Sequence, residues 1–162
     1  MRRVINQEDH LDWPIKVSNI IKSNYVALAK FQKEYLGETD LHQYEKDIKR
    51  LYDSFKPIIH PVATAKVLYL LCPNFFPIWD NAISDGVRSE IINKFPDIKT
   101  ARLSSDDYYR YMLGIQKFLD EHDNICTLLA KKYRKGKLRI LDECFWWGVR
   151  RPFCLLFETK AK

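Results

Sequence analysis

The sequence predicts an all-α protein, and three observations lead to this fold class. Apolar residues recur every three or four positions through most of the chain, which is the spacing of one face of a helix. Proline, serine and aspartate stand where such helices would begin, and glycine or proline stands where they would end. No run alternates apolar and polar residues long enough for a sheet. We therefore expect one compact helical domain over residues 1–162.

Two helices are predicted before residue 56. The first runs from Pro14 to about Leu36, where Gly37 ends it. The second runs from Asp40 or Leu41 to Phe55, and Pro57 ends it. Each carries apolar residues at helical spacing, namely Val17, Ile20, Ile21, Leu28 and Phe31 in the first and Ile48, Leu51 and Tyr52 in the second.

The next two helices flank a proline-containing segment. His60 and Pro61 start one helix, which continues to Cys72. Pro73 and Pro77 cannot continue it, so residues 73–79 should run back in an extended conformation before Asp80 opens a helix that closes at Phe95-Pro96.

The C-terminal third predicts three further helical segments. Ser104 or Ser105, followed by two aspartates, is a strong helix start, and a break is expected at residues 122–124 before a helix over 125–133. A last helix begins near Lys137 and carries Leu138, Leu141 and Phe145 inwards. Residues 153–157 are either a short strand or an extended tail.

The composition excludes several classes of protein. A chain that is 46% hydrophobic and 14% aromatic is a folded globule, and no run reaches the length of a membrane helix. The N-terminus turns polar too soon for a signal peptide, so we expect a cytoplasmic protein with no membrane partner. The cysteines lie far apart among apolar residues, so we expect buried thiols and neither metal nor cofactor; they are Cys72, Cys126, Cys144 and Cys154.

The net charge of +6 is concentrated in one segment. Of 27 basic residues, six lie in residues 131–139, and the rest of the chain has 21 basic and 21 acidic residues. The segment is either solvated surface at a helix end marked by Gly136, or a loop that contacts nucleic-acid phosphates. The basic residues assigned to nucleic-acid binding are Lys131, Lys132, Arg134, Lys135, Lys137, Arg139, Arg150 and Arg151.

Lys66 and Asp80 are the residues that point to a chemistry. Lys66 is the single charged residue from Pro61 to Cys72. Burial would disfavour its ammonium and make the neutral, nucleophilic amine available, whereas a place at the helix rim would leave it in water. Six helical residues and eight extended ones at about 1.5 and 3.3 Å each allow Asp80 to return to Lys66. Helix capping alone also explains Asp80.

Residues 58–83 carry A-K-V on a helix, then an apolar run and P-x-x-D, and they resemble the helix-hairpin-helix DNA glycosylases. In that family a lysine on the second hairpin helix precedes an aspartate in a P-V-D-type turn. The resemblance implies that Lys66 is the Schiff-base nucleophile and that Asp80 is the carboxylate that assists it. Here residues 58–64 hold no glycine, unlike the family's glycine-rich hairpin, and thirteen residues separate the pair. The family's iron–sulfur cysteines are absent from this sequence.

Aromatic residues and one histidine are expected to line the substrate pocket. A base flipped out of a duplex is held between aromatic or apolar side chains. The pocket residues are His60, Trp79, Trp146 and Trp147, although His60 is also explained as a helix start and the tryptophans as core. Because Trp146 and Trp147 are adjacent, one of them should lie nearer the surface.

The sequence thus predicts a DNA glycosylase, with or without lyase activity, that acts on a flipped-out modified base in duplex or single-stranded DNA. Two alternatives stay open. One is a helical nucleic-acid-binding module without catalysis, which the missing hairpin glycines favour. The other is a helical interaction protein that binds no nucleic acid. The lesion and the oligomeric state are undetermined at this stage.

Overall fold

The computed structural model describes residues 12–79 and 104–150, with the side chains of 147–150 excepted. These residues form helices joined by turns, and no strand occurs among them, which confirms the all-α prediction. The predicted helix that Asp80 would open and the segment 153–157 lie outside the described residues. The helices are α1 (Trp13–Ser23), α2 (Tyr25–Phe31), a 3-10 turn (Leu41–Tyr44), α3 (Glu45–Phe55), α4 (Pro61–Leu71), α5 (Ser105–Glu121), α6 (Asp123–Tyr133) and α7 (Lys137–Arg150).

The prediction of one helix from Pro14 to Leu36 was wrong. The helix breaks at Asn24, whose side-chain amide donates to the carbonyl of Ile20 at 2.9 Å and so competes with the helical ladder. The second part ends at Phe31, well before Gly37. Beyond that point the chain is held by a tertiary hydrogen bond, which Leu36 N–H donates to the carbonyl of Asn74 at 3.0 Å.

The predicted start of α5 and the break after it are confirmed. Ser104 accepts a hydrogen bond from Asp107 N–H, and the Asp107 carboxylate accepts one from Ser104 N–H, which is a reciprocal capping box. The helix ends at Glu121, and His122 separates it from α6.

Stacked aromatic rings form the centre of the core. Tyr52 of α3 lies 4.8 Å from Tyr108 of α5, ring centroid to centroid, and the two planes are nearly parallel. Phe31 of α2 stacks on Phe75 at 4.6 Å. All four rings are buried, so the core joins α2, α3 and α5 to the segment that follows α4.

α6 ends at Tyr133, as predicted, and Arg134 rather than Gly136 is the residue that terminates it. Arg134 adopts a left-handed conformation with φ of 54°. Lys135 N–H then donates to the carbonyl of Ala130, so that Arg134 occupies the position that glycine usually takes in such a helix end. Gly136 serves close packing instead, because a Cβ there would lie 2.6 Å from Oδ1 of Asn74.

None of the helices in the described ranges has the length and apolar character needed to cross a membrane.

We predict that Arg134→Gly stabilises the fold. The left-handed conformation costs a residue with a Cβ about 1–2 kcal/mol, and glycine avoids that cost. Part of this gain is offset because glycine loses more conformational entropy than arginine on folding. The free energy of unfolding should rise by roughly 0.5–1 kcal/mol, measured by urea denaturation. Arg134→Ala is the matched control, since it removes the guanidinium but keeps the Cβ. A stabilisation of equal size in both variants would contradict the backbone explanation.

Candidate functional site

Lys66 lies on the solvent-facing side of α4. His60 is the residue before the first turn and Pro61 starts the helix, as predicted. The buried residues of α4 are Thr64, Ala65, Leu68 and Tyr69, whereas Lys66 is exposed and Leu70 is 76% exposed. Of the two positions that the sequence left open for Lys66, the structure shows the one at the helix rim, because α4 covers the core with one face only.

Most of the segment after α4 is buried although it is neither helix nor strand, and Pro73 is its one exposed residue up to residue 79. It does not run extended throughout, because the amides of Phe75 and Phe76 both donate to the carbonyl of Cys72 and close a turn. Phe75, Phe76 and Trp79 are each at most 1% exposed. Backbone groups in such a segment need partners, since burying them unpaired is costly.

Three side chains supply those partners at residues 77 and 78. Tyr108 donates its hydroxyl to the carbonyl of Pro77 at 2.8 Å, and Tyr111 donates to the carbonyl of Ile78 at 2.9 Å. The Asp142 carboxyl accepts a hydrogen bond from Ile78 N–H. Proline has no N–H, so every backbone polar group of these two residues is held by a side chain from α5 or α7.

The helix of Lys66 and this segment meet on α7. Arg139 donates from a guanidinium nitrogen to the hydroxyl of Tyr69 at 3.1 Å, and Tyr69 lies one turn after Lys66. Asp142, which holds Ile78, lies one turn after Arg139. α7 thus contacts α4 at the buried Tyr69 and residue 78 through Asp142, whereas Lys66 itself is exposed. Asp80 itself lies outside the described residues.

Asp142 is a buried acid. It is 5% exposed, and burial raises its pKa from 3.8 to about 8, against the opposing effect of Arg139. Its Oδ2 has no hydrogen-bond partner among the described residues, and neither has the indole nitrogen of Trp79. Burial also raises the pKa values of Tyr108 and Tyr111 well above their ordinary range. The cluster is therefore neutral near pH 7.

The predicted pocket residues are dispersed. Trp79 lies in the core, edge-to-face on Tyr111 with ring centroids 4.7 Å apart. Trp146 is 44% exposed, as expected for one of the two adjacent tryptophans. The side chain of Trp147 lies outside the described residues, and His60 is exposed. Trp146 follows Arg139 by seven residues on α7, so both lie on the same side of that helix.

Half of the basic segment is paired with carboxylates. Lys135 and Arg139 both bind Glu143, at 2.7 and 2.8 Å, and Lys137 binds Asp123 at 2.6 Å. The other three cations, Lys131, Lys132 and Arg134, are exposed, and no carboxylate of the described residues lies within ion-pair distance of them. Nothing is described of the side chains of Arg150 and Arg151.

The cysteines behave as predicted where they are described. Cys72 and Cys126 are buried free thiols, Cys144 is half-buried, and Cys154 lies outside the described residues. Burial raises the pKa of the Cys72 thiol to about 12, so it is not a nucleophile near neutral pH. No group of three or more His, Cys, Asp and Glu side chains within residues 12–79 and 104–150 is arranged to hold a metal.

Sequence reasoning missed Asp142, Tyr108 and Tyr111 as a cluster. A signal was present for Asp142, because it stands one position after Leu141 and three before Phe145, on the face of α7 predicted to point inwards. An acid on an apolar face needs a partner, and here the partner is a backbone amide. No feature of the sequence indicated that the hydroxyls of Tyr108 and Tyr111 would donate to backbone carbonyls.

No family model, curated protein or solved structure matches this chain.

We predict that Asp142 makes stability fall as pH rises. Its folded pKa is raised from 3.8 to about 8, so the folded state keeps a proton that the unfolded state releases. The resulting stability is complete below pH 3.8 and is lost as pH rises to about 8, at up to about 1.4 kcal/mol per pH unit. Asp142→Asn, which does not titrate, should remove this slope.

The measurement is urea denaturation of both proteins at pH 5, 6, 7 and 8. Asp120→Asn is the control, because Asp120 is an exposed acid on α5. A slope that is the same in wild type and Asp142→Asn would rule out Asp142 as its source.

Proposed function

We propose that this chain is a DNA glycosylase that acts on a flipped-out modified base, with Lys66 as nucleophile and Asp80 as its carboxylate partner. The observation that carries the proposal is the exposure of Lys66 on α4, the helix to which α7 is joined by the hydrogen bond from Arg139 to Tyr69. A nucleophile of the kind that the glycosylase resemblance implies must be reachable by DNA, and Lys66 lies on the surface. The role of Asp80 is taken from the resemblance.

The proposed reaction joins the Lys66 amine to the sugar and expels the base. The neutral amine forms a bond to the anomeric carbon, and the glycosidic C–N bond breaks with its electron pair on the departing base, which takes up a proton. The bond from the anomeric carbon to the ring oxygen then breaks with its electron pair on that oxygen, which takes up the remaining proton of the amine, and the carbon–nitrogen double bond of the imine forms. The Asp80 carboxylate stabilises the positive charge that develops on the sugar.

Because Lys66 is exposed, bound DNA would help to activate its amine. A nucleophile must be reachable by a flipped-out nucleotide, and an exposed lysine on α4 is reachable. DNA that covers the α4 surface would remove water from around the amine, and such desolvation favours the neutral, nucleophilic form of a lysine. Trp146 is 44% exposed on the same side of α7 as Arg139, and to it we assign the contact with the extruded base or a neighbouring one.

Phosphate contacts are assigned to the exposed cations at the end of α6. Lys131, Lys132 and Arg134 make no ion pair with a described carboxylate, so their charge is available to DNA. Lys135, Lys137 and Arg139 already face Glu143 or Asp123 and should contribute less.

The proposed mechanism makes a prediction for Lys66→Ala. Wild-type protein incubated with lesion-bearing oligonucleotides and borohydride should form a covalent protein–DNA adduct, because hydride reduces the imine to a stable amine. The Ala variant should form none. It should also unfold within about 0.5 kcal/mol of wild type, because Lys66 is exposed.

Two matched variants sharpen this result. Lys66→Arg keeps the positive charge but cannot form the imine, so it should bind DNA and form no adduct. Lys117→Ala removes another exposed lysine, on α5, and should behave as wild type. An adduct that persists in both Lys66 variants would remove Lys66 from the mechanism. Alkali-labile abasic sites without an adduct would leave a glycosylase centred on Asp80.

The proposed phosphate contacts predict how DNA affinity depends on salt concentration. With three phosphate contacts, the logarithm of DNA affinity should fall against the logarithm of salt concentration with a slope of about −2.7. Replacing Lys131, Lys132 and Arg134 by Gln should bring that slope near zero for all sequences alike, measured by fluorescence anisotropy. Gln at Lys22, Lys33 and Lys46, three exposed lysines elsewhere, is the control set. A slope unchanged by the first set would make the basic segment a solvated surface.

These experiments also separate the alternatives. Salt-dependent binding with neither adduct nor abasic site would favour the non-catalytic nucleic-acid-binding module. Absence of binding even at low salt would favour a protein-interaction role.

A further inference from the structure

A cavity lies between the chain that follows α2 and the turn that joins α6 to α7. Its volume is about 210 Å³. Asn74, the end of α5 and one side of α6 complete its wall. Since a water molecule takes about 30 Å³ of liquid volume, the cavity has room for a ligand of roughly seven non-hydrogen atoms.

Hydrogen bonds and close packing fix the walls of this cavity. Leu36 N–H donates to the carbonyl of Asn74 at 3.0 Å, and the side-chain amide of Gln116 donates to the carbonyl of Leu36 at 2.6 Å. On the other side, Gly136 packs closely on Asn74, because a Cβ at residue 136 would lie 2.6 Å from Oδ1 of Asn74. The cavity is therefore built by contacts between distant parts of the chain.

The buried part of the lining is apolar. Leu36, Leu119 and Leu138 line the cavity and are each at most 3% exposed. An aliphatic chain that binds against these side chains leaves water, which favours binding. Tyr35 also lines the cavity, and its half-exposed ring can receive a cation on its face.

The charged part of the lining has an excess of acids, with three carboxylates and two lysines. Both lysines are paired, Lys137 with Asp123 at 2.6 Å and Lys135 with a glutamate outside the lining at 2.7 Å. Glu38 and Asp120 are exposed and make no ion pair with another described side chain. These two carboxylates therefore remain to attract a positive charge.

We propose that this cavity binds a small alkylammonium ligand, with its aliphatic chain on the three leucines and its charged nitrogen towards Tyr35, Glu38 and Asp120. An anionic ligand is disfavoured, because the lysines of the lining are already paired and the unpaired charges are negative. The inference does not depend on the proposed glycosylase function, because Lys66, Trp146 and the exposed cations at the end of α6 do not line the cavity.

The probe is hexylammonium, whose size matches the cavity. Titration is followed by NMR at the backbone amides of Gly37 and Gly136, which line the cavity, with the buried Gly114 of α5 as the internal reference. We expect saturable shifts at both lining glycines and none at Gly114, with a Kd on the order of 1 mM for a ligand of this size.

Three further probes separate charge from chain. Hexanol has the same chain without the charge, and methylammonium has the charge without the chain. Each should bind at least about fivefold more weakly than hexylammonium, because each lacks one of the two contributions. Hexanoate, which carries the opposite charge, should give no saturable shift.

Two sets of variants test the two parts of the site. Glu38→Gln combined with Asp120→Asn should weaken hexylammonium binding about tenfold, whereas Asp12→Asn, at an exposed acid elsewhere, should not change it. Gly37→Leu should weaken binding about tenfold or more by filling the cavity, because a Cβ at residue 37 would lie 3.9 Å from Cδ1 of Leu119. Gly37→Ala is the matched control and should bind within about twofold of wild type.

Each outcome decides for or against the alkylammonium site. Saturable shifts that are lost in the double carboxylate variant support it. Hexanol that binds as tightly as hexylammonium, wild-type affinity in the double variant, or a lack of response at both glycines would overturn it. If Gly37→Leu does not fold, the probe series and the carboxylate variants still decide. Absence of a DNA adduct leaves this site unaffected, and absence of amine binding leaves the proposed glycosylase function unaffected.

Discussion

Burial of the aromatic residues Phe75, Phe76 and Trp79 without helix or strand pairing is the constraint on which the rest of the described structure depends. These residues lie shortly after α4, and their rings contact Phe31 of α2 and Tyr108 of α5. Buried backbone polar groups beside them need partners, and side chains from distant parts of the chain supply them. Tyr108, Tyr111 and Asp142 do so at residues 77 and 78.

This constraint explains the placement of α5 and α7. The aromatic rings of Tyr108 and Tyr111 are buried in the core, while their hydroxyls reach backbone carbonyls. Asp142 orients α7 by the same means, and Arg139, one turn earlier, reaches α4 through Tyr69. The elements that carry Lys66, Trp146 and the approach to Asp80 are thus joined by polar contacts as well as by apolar packing.

The basic residues of segment 131–139 fall into two groups, those paired with a carboxylate and those exposed without such a pair among the described residues. Glu143 accepts both Lys135 and Arg139, which ties the start of α7 to the turn before it. Lys131 and Lys132 project from the last turn of α6, where positive charge also complements the helix dipole. Arg134 stays exposed at the left-handed end of that helix. A basic stretch of sequence is therefore only in part a basic surface, which matters for any DNA-binding role.

The sequence by itself determined the helical class, the starts of α4, α5 and α7 and the inward face of α7, because these depend on apolar spacing and local capping. It did not determine the break at Asn24, where a side-chain hydrogen bond to the carbonyl of Ile20 competes with the helix, or the left-handed Arg134 that follows the predicted end of α6. Only the tertiary structure placed Lys66 on the exposed side of α4, since an apolar helix does not reveal which face the core covers. Only the tertiary structure joined Ile78 to Asp142, because a carboxyl on α7 and a backbone amide more than sixty residues earlier share no local pattern and meet through packing alone.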